Sequence, residues 1–99
     1  MRTYYTDYVR HALRFYSRNW AVRPSFRSEA DKRNWLSCDM VISKLPEDAG
    51  DMLIEIYAGH DTLPDEVYGA SQRWNIEQNK IWDMMKSVEQ KIAHKRGLI

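Results

Sequence analysis

Apolar residues recur at intervals of three and four along most of the chain, the period of a helix with one buried face. Tyr5, Val9, Ala12, Leu13, Tyr16 and Trp20 form the first stripe and predict a helix from Thr6 to Asn19. The pattern stops between Trp20 and Arg27, where Pro24 disfavours helix at Arg23, so a loop is expected. Ser28 is a good N-cap, with Asp31 in place of the capping-box glutamate. It opens a second helix that runs to about Lys44 and turns Trp35, Cys38, Val41, Ile42 and Leu45 inward, leaving Leu36 and Met40 off the stripe.

Two copies of one helix-start signal follow, Leu45-Pro46-Glu47-Asp48 and Leu63-Pro64-Asp65-Glu66. Proline at the first helical position loses no hydrogen bond, and acids behind it favour the positive end of the helix dipole. Helices should therefore begin near Pro46 and Pro64. The first buries Ala49, Met52, Leu53, Ile56 and Tyr57 and ends at Gly59; the second is short, with Val67, Ala70 and Trp74 inward. A last helix should start near Glu77 and reach about Lys95, burying Ile81, Met84, Met85, Val88 and Ile92. The fold class expected is all-α, a compact bundle of about five helices.

The stretch from Asp65 to Arg96 has the form of a helix-turn-helix. Ser71 is small where the first helix must let the second pass close to its backbone. Asn75 sits at the break, where the chain needs positive φ, a conformation that Asn accepts better than any residue except Gly. Ile76 plugs the turn and Ile81 faces the preceding helix. The face opposite the buried stripe of the last helix carries Asn79, Asp83, Lys86 and Gln90, with Lys80 and Trp82 on its flanks.

Ninety-nine residues suit one domain, with residues 1–45 as supporting helices and residues 46–99 as the helix-turn-helix segment. No apolar run approaches the roughly 20 residues of a membrane span, and no secretory signal pattern opens the chain, so a cytoplasmic protein without a membrane partner is expected. The single cysteine, Cys38, agrees with a reducing compartment and suits the core.

Net charge is +1, but it is unevenly distributed. Residues 1–44 carry nine cations against four acids, residues 45–76 seven acids against Arg73 alone, and the remainder five cations against three acids. A DNA-binding protein of this kind would use its two ends and turn its acidic middle away. Arg10, Arg14 and Arg18 recur every four residues opposite the first apolar stripe, with His11 among them. Such a row is either a solvated face or a ridge that contacts phosphates.

Nothing resembles an active site. His11, His60 and His94 are far apart and unpaired at metal-ligand spacing, and no Gly-rich phosphate loop appears. Glu47-Asp48 and Asp65-Glu66 are explained by their places at helix starts. Neither enzyme activity nor a metal or cofactor is expected.

The run Leu45-Pro46-Glu47, then Met52-Leu53-Ile54-Glu55-Ile56-Tyr57, the turn Trp74-Asn75-Ile76 and the helix onward from Asn79-Lys80-Ile81-Trp82 resemble region 4 of bacterial sigma factors over a little more than half the chain. Asn75 stands where that pattern has glycine, and Trp74 where it has leucine. With its Tyr4-Tyr5-Thr6-Asp7-Tyr8-Val9 start and Lys95-Arg96-Gly97-Leu98-Ile99 end, the whole chain looks like the small sigma-like regulators of Gram-positive phages and prophages, the RinA and ArpU type. The resemblance implies a transcription regulator of double-stranded DNA whose recognition helix turns Gln78, Asn79, Lys80, Asp83 and Lys86 toward bases and phosphates.

Chemically, Gln78 and Asn79 suit adenine edges, Lys80 and Lys86 guanine or phosphate, and Asp83 the cytosine amino group. Gln90 continues that face, and Arg10, Arg14, Arg18, Lys95 and Arg96 are the candidate phosphate contacts. A homodimer would present two such helices and require a palindromic site. Two other readings stay open: a module that docks on RNA polymerase or a second copy of itself through its acidic middle and exposed Trp, Met and Leu residues, and a DNA-packaging component of a phage terminase.

Overall fold

The computed structural model describes residues 4–20 and 25–99. Among them are five helices and no strand: α1 (Thr6–Asn19), α2 (Glu29–Ile42), α3 (Glu47–Ala58), α4 (Leu63–Trp74) and α5 (Gln78–Lys95). The loop expected around Pro24 falls largely on residues 21–24, outside the described residues.

The apolar stripes converge on one core to which all five helices contribute. Leu13, Met52, Leu53, Ile56, Tyr57, Val67, Ile81, Met85 and Ile92 are fully buried in it. α1 lies centrally, against α2, α3 and α5; α4 joins α3 to α5, and α2 also packs on α5. Tyr16 and Phe26 meet the Trp35 ring edge-on, closing the α1–α2 side.

Several expectations are corrected. Trp20, the C-cap residue of α1, is 51% exposed rather than buried. Ala49, Leu45, Met84 and Trp74 are half-buried, at the margins of their stripes. α2 stops at Ile42, two residues early. Neither proline holds the first helical position: Pro46 is the N-cap of α3, and Pro64 is the second residue of α4. The cap of α4 is Thr62, whose Oγ1 accepts from the Asp65 amide at 3.4 Å. Ser28 caps α2 as expected, accepting from the Asp31 amide at 3.2 Å.

The ends of α3 and α5 use glycine differently. Gly59 follows α3 in an extended conformation, φ −62° and ψ 156°, so left-handed geometry is not its reason. A Cβ there would run into the Glu66 carboxylate, the far end of a flexible side chain, which fills that space and accepts from the Asp61 amide. Gly97 has φ +75°, and with it the Leu98 amide reaches back to the Ala93 carbonyl at 2.8 Å, closing α5 with a left-handed stop.

Candidate functional site

α4 and α5 are joined by three residues, and the geometry of that turn comes from side chains already conspicuous in the sequence. Asn75 adopts φ 55° and ψ 50°, the left-handed conformation, and is the one positive-φ residue other than glycine among those described. Ser71 does more than save space. Its carbonyl accepts the Ile76 amide at 3.2 Å, and its hydroxyl donates to the Ile76 carbonyl at 2.5 Å. Both polar groups of Ile76 are thus satisfied by one residue of α4, which fixes where α5 starts. Arg73 and the Trp74 indole both donate to the Glu55 carboxylate, at 3.1 and 3.0 Å, tying the end of α4 to α3.

α5 is seated by more than apolar contact. Glu89 is 4% exposed and lies on the buried stripe one turn beyond Met85. Its carboxylate accepts from Arg10 Nε at 2.9 Å and from the Tyr57 hydroxyl at 2.6 Å, so α1, α3 and α5 meet at one charged group. The Arg10 guanidinium also lies 5.9 Å from the centre of the Trp82 ring. Burial first, then the neighbouring Glu89 charge, holds the Tyr57 hydroxyl well above its ordinary pKa. Burial likewise pushes the Cys38 thiol up to about 12, and burial with the Asp39 hydrogen bond raises Tyr16.

The opposite face of α5 is open. Gln78, Asn79, Lys80, Asp83, Lys86 and Gln90 are all exposed, and none makes a side-chain hydrogen bond or ion pair with another described residue. Glu77 caps α5 without a side-chain hydrogen bond to its amides, and the first turn contains no acid. That leaves the positive end of the helix beside Gln78 and Asn79. A cleft of about 750 Å3, lined by Gln72, Asn75, Glu77 and Lys80 among others, runs along the turn.

The arginines of α1 are placed otherwise. Arg14 donates to the carbonyls of Tyr57, Gly59 and Asp61 at 3.3, 2.6 and 3.2 Å. Arg18 donates to the Ala58 and Gly59 carbonyls at 3.2 and 3.0 Å. Their charges thus lie on the negative end of α3, whose last carbonyls have no helical partner. With Arg10 on Glu89, all three arginines of the row have partners within the protein, Arg10 and Arg14 half-buried and Arg18 exposed. Arg96 is half-buried and donates to Asn34 Oδ1 and to the Tyr8 hydroxyl, whereas Lys95 is exposed. The hydrogen bonds with Asn34 and Arg96 hold Tyr8 below its usual pKa.

Among the described residues no three His, Cys, Asp or Glu side chains gather where they would hold a metal ion, and no helix is long and apolar enough to cross a membrane. Sequence reasoning missed Glu89 as a structural residue. Its signal was its position four residues after Met85 and three before Ile92, on the buried stripe.

Fold and site together define an all-helical protein that offers one polar helix face beside a tight turn. Comparisons with protein-family models, curated proteins and solved structures found no match.

Proposed function

We propose that the protein binds double-stranded DNA through the outer face of α5, as a helix-turn-helix transcriptional regulator of the sigma region 4-like kind found in phages and prophages. The observation that carries this reading is the contrast between two polar surfaces. The α1 arginines are engaged within the protein, whereas Gln78, Asn79, Lys80, Asp83, Lys86 and Gln90 are exposed and have no side-chain partner among the described residues. An unpartnered row of amides, lysines and a carboxylate on one rigid helix supplies the donors and acceptors that base edges match. The α5 N-terminus and Lys80 add attraction for phosphate, and Lys95 adds a cation at the other end. Arg10, Arg14 and Arg18 hold the fold in this reading and leave the phosphate set.

The reading is tested by titrating isotope-labelled protein with duplex DNA and following backbone amide shifts. Perturbation concentrated on residues 75–90 supports it. Shifts confined to α1 and α3, or none at low salt, would refute it.

A further inference from the structure

Where α2 packs on the C-terminal half of α5, the two helices leave a second cleft, of about 540 Å3. Val41 and half-buried Leu45 form its apolar floor together with Met40, which is 45% exposed and stood off the buried stripe in the sequence. Lys44, Lys91 and Lys95 stand at its rim, all exposed, and no carboxylate lines it. Among the described residues, none of the three ammonium groups is ion-paired within the protein.

Phosphate binding would need the lysines but not the apolar floor. An uncharged apolar partner would need the floor but gain nothing from the lysines. A pocket that combines an adaptable methionine with cations on its rim suits a ligand with one bulky apolar side chain flanked by negative charges. We propose that this cleft docks an acidic segment of a partner protein, its apolar anchor on Met40, Val41 and Leu45 and its carboxylates on Lys44, Lys91 and Lys95. The occupant follows from charge complementarity, since all three charged rim groups have the same sign. The site lies apart from residues 78–90 of the outer face of α5 and shares only Lys95 with the proposed DNA contacts, so Met40 and Lys44 test it independently of DNA binding.

The test uses fluorescence anisotropy with two labelled amphipathic peptides of about five helical turns, which share a leucine and phenylalanine face and differ only in carrying carboxylates or lysines opposite it. The acidic peptide should bind and the basic one should not. Met40→Asp and Lys44→Glu, both at exposed positions, should each weaken binding at least about tenfold without changing thermal unfolding. Lys80→Ala/Lys86→Ala should leave peptide binding unchanged. Equal binding of the two peptides, binding of neither, or acidic-peptide binding that survives Met40→Asp would overturn the proposal. So would acidic-peptide binding lost in the Lys80→Ala/Lys86→Ala variant, which would move the site to the other end of α5.

Discussion

Replacing Arg10 with methionine should destabilise the protein far more than the loss of a surface charge would. The side chains of Arg10 and Glu89 are 18% and 6% exposed, so the change strands a buried carboxylate with the Tyr57 hydroxyl as its remaining donor. Removing one partner of a buried pair costs about 3–5 kcal/mol, and the residual solvent contact of Arg10 places the expected loss near 3 kcal/mol. That is a large part of the roughly 5–15 kcal/mol that a domain has in total. In urea unfolding followed by tryptophan fluorescence, the midpoint should fall by about 1–3 M with the slope unchanged. Adding Glu89→Gln removes the stranded charge and keeps an acceptor for Tyr57. The double variant should therefore recover to within about 1 kcal/mol of wild type. A loss below about 1 kcal/mol for Arg10→Met, or a double variant no better than the single, would show that the pair does not hold α5 in place.

Three further outcomes follow from the same geometry. Asn75→Ala should cost up to about 1 kcal/mol in denaturant unfolding, because alanine keeps the Cβ that opposes φ 55° but loses the short polar side chain that lets asparagine tolerate it, whereas Asn75→Gly, without a Cβ, should be near neutral. Arg14→Ala should cost about 1–2 kcal/mol by removing donors from three carbonyls, and Arg14→Lys should recover only part, since an ammonium cannot span all three. Stability should fall at alkaline pH. Cys38 and Tyr57 have folded pKa values raised above their ordinary 9.0 and 10.0, so the unfolded chain loses these protons first. Each group then contributes a decline of about 1.4 kcal/mol per pH unit above its unfolded pKa, and a melting temperature that stays flat from pH 8 to about pH 11 would contradict this.

The helices could be read from the sequence because apolar spacing and turn chemistry agreed. The bounds of α1 matched, and Asn75 took the positive φ that its place at the break required. Caps were read one residue off where proline dominated the signal, since proline tolerates both the N-cap and the first turn while Thr62 supplies the hydrogen bond. Arg14 and Arg18 could not be assigned, because their partners are backbone carbonyls about 40 residues away, and carbonyls carry no sequence signature. Glu89 was legible by position but not by type, since a carboxylate on a buried stripe makes sense only once Arg10 and Tyr57 are seen to reach it. The outer face of α5 was legible throughout, because exposed polar residues at helical spacing need no tertiary partner to define them.

The central claim, that the outer face of α5 reads DNA, is tested most directly by anisotropy of labelled random-sequence and prophage-promoter duplexes over a range of salt. Wild type should bind the promoter duplex more tightly, with log affinity falling against log salt at a slope of about 3 for Lys80, Lys86 and Lys95. Lys80→Ala/Lys86→Ala should bind at least about tenfold more weakly, with the slope reduced to about 1. No binding to either duplex at low salt, or a double variant with wild-type affinity and slope, would contradict the claim.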